Sequence, residues 1–128
     1  MKLLIDTHIF LWINGESSKL SEQFKELSRS GEHDFYLSVA SAWEIQIKYQ
    51  LGKLTLPLPI EELIAKNQQE NNIQLLPIEL SHISNLAQLP PHHKDPFDRL
   101  IISQAMLEGM TIVTADHAFA DYSVPVVW

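Results

Sequence analysis

The chain has 128 residues, enough for one domain with a core of its own, and 45% hydrophobic residues, the composition of a water-soluble globular protein. It contains no cysteine, which excludes a disulfide framework, a thiolate metal site and a cysteine nucleophile. Lysine and arginine number 9 against 16 aspartates and glutamates, a net charge of −7 that argues against a passive nucleic-acid binder, whose binding face is usually basic.

In chain order, Lys2–Ile5 predicts a buried strand, and the apolar run at Met1–Ile5 is too short for a secretion signal. A short helix follows through Ile9, Phe10 and Ile13 and stops near Asn14-Gly15. Ser21–Ser30 carries Phe24 and Leu27 among charges, the pattern of a surface helix. Phe35–Ser38 is a second strand. Ser41–Leu51 is a helix with Trp43, Ile47 and Leu51 on one face, closed by Gly52. Thr55–Pro59 is a proline-marked connection, Ile60–Asn71 a helix and Ile73–Pro77 a third strand. Ser81–Gln88 predicts a short helix and Pro90–Lys94 a loop. Asp95–Gly109 is a long helix with Pro96 in its first turn and Gly109 at its end. Thr111–Thr114 and Val124–Trp128 complete the strands, with Pro125 restricting the last to a sheet edge or a strand start. No stretch reaches the roughly 20 apolar residues of a membrane span, and a cytoplasmic location is expected. Alternating strands and helices predict an α/β fold: a single domain over residues 1–128, a three-layer sandwich with a mostly parallel sheet.

In such sheets ligands bind beyond the carboxyl ends of the strands. Asp6 directly follows the first strand. Glu44 falls in the predicted first turn of the helix after the second. Asp98 falls in the first turn of the last long helix, and Asp116 lies two residues past the fourth strand. Each has an ordinary reading. Ser41-Ala42-Trp43-Glu44 has the form of a capping box, Asp95-Pro96-Phe97-Asp98 supplies a cap and a dipole-favoured acid, Asp6 caps the first helix, and Asp116 starts a turn. Capping does not account for four acids meeting at one sheet edge. Clustered carboxylates repel one another, and a divalent cation removes that cost. An all-oxygen set suits Mg²⁺ or Mn²⁺ better than zinc. Phosphodiester hydrolysis uses such a site, because a bound cation lowers the pKa of water and neutralises the phosphate.

The ordered segments Leu3-Leu4-Ile5-Asp6-Thr7-His8, Ser41-Ala42-Trp43-Glu44-Ile45, Asp95-Pro96-Phe97-Asp98-Arg99-Leu100-Ile101-Ile102 and Val113-Thr114-Ala115-Asp116 resemble the motifs of PIN domains. The resemblance is nearest to the toxin ribonucleases of VapBC-type toxin–antitoxin pairs and spans essentially the whole chain. It implies a five-stranded parallel sheet with helices on both faces. It implies Mg²⁺- or Mn²⁺-dependent cleavage of RNA with one or two ions, an antitoxin protein as partner, and a homodimer. By position it assigns Asp6, Glu44, Asp98 and Asp116 as catalytic metal ligands. Asp95 is either a helix cap or, like Thr7 and Thr114, a group that supports a ligand through a hydrogen bond. Arg99 and Lys48 are candidate substrate contacts, although Lys48 stands four residues after Glu44, the spacing of a helical ion pair. Trp12 and Trp43 read as core or dimer residues, and His92-His93 as a solvated loop. A haloacid-dehalogenase phosphatase is disfavoured because position 8 is His where an acid is needed. The alternatives are a non-catalytic binding or regulatory module that retains the fold, or another Mg²⁺-dependent α/β phosphohydrolase.

Overall fold

The computed structural model describes all residues 1–128. Its strands are β1 (Lys2–Ile5), β2 (Asp34–Ser38), β3 (Ile73–Leu76), β4 (Thr111–Val113) and β5 (Val126–Val127). Its α-helices are α1 (Thr7–Ile13), α2 (Glu22–Arg29), α3 (Val39–Gln50), α4 (Ile60–Glu70), α5 (Leu80–Ser84) and α6 (Pro96–Glu108). Short 3₁₀ turns cover Ser17–Lys19, Asn85–Gln88 and His117–Asp121. The strands form one sheet in the order β3-β2-β1-β4-β5, with every neighbouring pair parallel. This is the expected three-layer α/β arrangement.

Both faces of the sheet are covered, so the central strand is apolar at consecutive positions rather than alternately. Leu3, Leu4 and Ile5 are all fully buried. Successive strand side chains point to opposite faces. Leu3 and Ile5 therefore join Ile9, Phe10, Phe24, Ile45 and Leu63 from α1–α4, while Leu4 joins Ile101, Ile102 and Ala105 of α6 on the other side. The helix α6 ends on Gly109 at φ 66°, where the absence of a Cβ permits the left-handed turn that stops it.

Three differences from the sequence expectation exceed a single residue at an element end. The helix α3 begins at Val39, directly after β2, because the Ser38 hydroxyl accepts from the Ala40 amide and caps it there. The Ser41–Glu44 capping box is therefore not formed, and Glu44 sits in the second turn. Expected Ser81–Gln88 divides into α5 and a 3₁₀ turn. The last strand shrinks to two residues on the sheet edge, and Pro125 precedes it, contributing only its carbonyl as acceptor for the Ile112 amide. No helix of the chain is long and apolar enough to cross a membrane.

The strand order fixes where a site can form. The chain builds outward from β1 to β2 and β3, then returns to place β4 on the other flank of β1. The crevice between the carboxyl ends of β1 and β4 is therefore the point where the topology reverses direction. Asp6 and Thr114, the residues just after those strands, stand on its two sides.

Candidate metal centre at the carboxyl ends of the strands

Asp6 is 3% exposed, and its amide donates to the Val113 carbonyl at 2.9 Å, which extends the β1–β4 ladder by one residue. Its Oδ2 accepts from Thr114 Oγ1 at 2.8 Å. Thr114 Oγ1 in turn accepts from the Asp116 amide at 3.0 Å, which fixes the turn carrying Asp116. Asp6 makes no capping hydrogen bond to α1, contrary to the ordinary reading of its position. Its other oxygen, Oδ1, is buried and has no hydrogen-bond partner. An unsatisfied buried carboxylate oxygen is costly and rare in folded proteins.

Glu44 is 4% exposed and enters from α3. Thr7 Oγ1 lies 2.9 Å from both Glu44 Oε1 and Ser41 Oγ. A threonine hydroxyl has one proton and a carboxylate can only accept, so Thr7 donates to Glu44 and takes its second contact from the Ser41 hydroxyl. The early start of α3 thus turns Ser41 from a cap into a buried support for the site. Lys48 Nζ donates to Glu44 Oε2 at 3.0 Å, the helical ion pair expected from the spacing.

Asp98 enters from the first turn of α6. Asp95 caps that helix, its Oδ1 accepting from the Phe97 and Asp98 amides at 2.8 and 3.3 Å. The capping reading of Asp95 is the one its geometry fits. Burial pushes the Asp98 carboxyl up to about 8, helped by the negative charges of Asp6, Asp95, Glu44 and Asp116. Burial likewise raises Asp6, with Glu44 adding to the rise and the Thr114 hydroxyl, His8 and the Thr7 amide opposing it. These mutual effects place the four acids from β1, α3, α6 and the turn after β4 in one electrostatic neighbourhood. Asp116 is the most open of them, with Oδ1 accepting from the Ala118 amide at 3.0 Å.

A histidine missed by the sequence reading joins Asp98 and Asp116, and these three form the closest group of ligand-type atoms, without Asp6 or Glu44. His93 Nε2 stands 3.0 Å from Asp98 Oδ2 and 3.6 Å from Asp116 Oδ2. One ligating atom from each of His93, Asp98 and Asp116 can be chosen so that all lie within 4.8 Å of one another. The expectation of a solvated His92-His93 loop holds for His92, which is exposed, but not for His93. The only sequence signal was its position, two residues before a capping aspartate in a proline-stiffened loop. Arg99 also differs from expectation. Its guanidinium donates to the carbonyls of Leu86, Pro90 and His93 at 3.2, 3.1 and 3.5 Å, so it clamps the loop bearing His93. Trp43 is not a core residue: it is 58% exposed and packs edge-on against Phe97. Trp12 is half-buried against Trp128.

The residues fit a hard divalent cation. The donors are carboxylate oxygens, the orphaned Asp6 Oδ1 has an unfilled acceptor position, and the repulsion that adds to the effect of burial on Asp98 is the kind a cation relieves.

The PIN domain family matches residues 3–125 of the chain. Ribonuclease VapC22 of Mycobacterium tuberculosis is 27% identical over 124 residues, covering 96% of this chain and 93% of that protein. Among solved structures, VapBC2 from Rickettsia felis bound to a DNA fragment from its promoter superposes with TM-score 0.74 at 15% identity, covering 99% of this chain and 98% of the other. FitAcB from Neisseria gonorrhoeae gives TM-score 0.67 at 19% identity, covering 98% and 96%.

Proposed function

The chain belongs to the PIN domain family, and from that premise we propose that it is a divalent-cation-dependent endoribonuclease, the toxin of a toxin–antitoxin pair. The observation that carries the reading is Asp6 Oδ1, a buried carboxylate oxygen without a partner at the topological switch point, among three further acids. Resemblance to a protein named a ribonuclease over 96% of the chain supports the activity.

In this reading Asp6, Glu44, Asp98 and Asp116 hold one or two Mg²⁺ or Mn²⁺ ions. A cation so held would lower the pKa of a water molecule and offset the charge of the scissile phosphate. The chain's own residues prepare the site. Thr114 holds one oxygen of Asp6 and leaves the other directed to the ligand position. Thr7 and Lys48 each occupy one oxygen of Glu44 and fix its rotamer. Each of those oxygens has a further lone pair free to meet a ligand. The walls formed by α3 and α6 exclude water from Asp6 and Glu44, which strengthens every charge interaction there.

The partner in this reading is an antitoxin that presents a cationic side chain. Arginine or lysine pairs strongly with carboxylates and competes with the cation for them. A homodimer belongs to the same proposal, supported by the apolar residues Leu80, Ile83, Met106 and Leu107 left exposed on α5 and α6.

Cleavage of a single-stranded RNA should require added Mg²⁺ or Mn²⁺. In Asp6→Asn it should fall by more than the roughly 100-fold that losing a partner of a metal ligand costs, with the circular dichroism spectrum unchanged. Undiminished cleavage by a folded Asp6→Asn protein in metal-replete buffer would refute the assignment.

A further inference from the structure

The loop between α5 and α6 is held far more firmly than a solvated connection needs. The His93 amide donates to the Tyr122 hydroxyl at 2.7 Å, the His93 ring meets the edge of Phe119 at 5.9 Å between centroids, and Arg99 grips the carbonyls of Leu86, Pro90 and His93 itself. The side chain is 16% exposed. Ordering a loop residue costs conformational entropy, and these restraints converge on the placement of one imidazole.

Its tautomer follows from its partners. His93 Nδ1 accepts from the Asp95 amide at 3.1 Å. An imidazole nitrogen that accepts carries no proton, so in the neutral ring the proton is on Nε2. That nitrogen faces Asp98 Oδ2 at 3.0 Å, with Asp116 Oδ2 next nearest at 3.6 Å. A nitrogen that donates has no lone pair for a cation. In this orientation His93 is a donor to the acids and not a ligand beside them.

We propose that His93 is a positioning residue of the cation site: an Nε2–H donor, its tautomer set by the Asp95 amide, that orients Asp98 and keeps Asp116 beside it. The inference rests on the cation-site reading above. Asp98 and Asp116 come from different elements, α6 and the turn after β4, and repel each other. A lysine between them would draw them together but would cancel the charge that attracts a cation. A neutral donor orients them and leaves that charge in place. It occupies Asp98 Oδ2 and leaves Oδ1 for the ion.

The experiment is Mn²⁺ titration of the whole chain, read by electron paramagnetic resonance, with ¹⁵N chemical shifts of His93 recorded in the cation-loaded wild type. The wild type should bind Mn²⁺ with no imidazole nitrogen coupled to the ion and with the His93 proton on Nε2. His93→Ala should bind about 10- to 100-fold more weakly, the usual cost of losing a partner of a metal ligand. His93→Gln, whose amide nitrogen reaches the same position, should recover most of that loss. Unchanged affinity in His93→Ala, a nitrogen bound to the ion, a proton on Nδ1, or Gln as weak as Ala would each overturn the proposal. The shift and coupling measurements use the wild type and so do not depend on either variant folding. A wild type that binds no Mn²⁺ would overturn the cation-site reading together with this one.

Discussion

Burial, reinforced by the neighbouring acids, makes Asp98 hold a proton near neutrality, and this gives the site a measurable signature. Burial and the four surrounding carboxylates raise it from an ordinary 3.8 to about 8. Between those values the folded chain binds a proton that the unfolded chain releases. Stability contributed by this group is thus fully present below about pH 4 and is lost as pH rises toward about 8. Without divalent cation, the melting temperature of the wild type should fall over that range relative to Asp98→Asn, which has no such proton to lose. Added Mn²⁺ should stabilise the wild type more at pH about 8 than at about 5, because protons compete for the same oxygens. Parallel pH profiles for wild type and Asp98→Asn would refute the assignment. Asp6, Asp98 and Asp116 could be singled out in the sequence because each stands at an element end that the hydrophobic pattern marks, whereas Glu44, in the second turn of α3, was reached through a capping box that does not form. His93 was not, because its role depends on where a loop runs and which amide it meets. Neither was the fate of Arg99, whose partners are backbone carbonyls with no sequence signature.

Among the elements, α6 shows how a helix end can serve structure and site at once. Asp95 accepts from two amides of its first turn, and Pro96 follows at the position where a missing amide is harmless. Asp95→Ala should therefore destabilise the fold by about 1 kcal/mol in urea unfolding, the usual value of an N-cap. Asp95→Asn keeps a good cap while removing the charge, so it should retain both stability and Mn²⁺ binding. Abolition of Mn²⁺ binding by Asp95→Asn would instead make Asp95 a ligand. The type and order of the strands and main helices followed from periodicity and from Gly52 and Gly109 as stops. Boundaries were less accessible where two signals competed. The sequence pattern puts the cap at Ser41 and ends the strand at Ser38, but in the fold Ser38 does both, because β2 ends there with its hydroxyl at the Ala40 amide. The short β5 likewise reflects tertiary context: only two residues find a register beside β4 at the edge.

At the scale of the molecule, the proposed function requires a chain of net charge −7 to approach a polyanion. Two of the basic residues near the site are engaged within the chain, and Lys94, exposed beside His93, is not. Lys48 is paired with Glu44, and Arg99 is turned onto its own loop. Attraction for RNA in the proposed reading therefore comes from bound cation more than from a basic face. This has a consequence in two parts, measurable by fluorescence anisotropy with a cleavage-resistant phosphorothioate RNA. Binding should appear on adding Mn²⁺ and disappear with a chelator. Its dependence on monovalent salt should be shallow, since each phosphate neutralised by a side chain adds only about −0.7 to the slope for a single strand, and Lys48 and Arg99 at the site are engaged within the chain. Tight binding in the chelator, or a slope as steep as that of a basic nucleic-acid binder, would mean that a cationic surface elsewhere on the chain recruits RNA. The acid cluster would then contribute to cleavage alone. With shallow salt dependence and a strict need for cation, the same acids would recruit the substrate and cut it. Any partner that placed a guanidinium among them would then block both steps with a single contact.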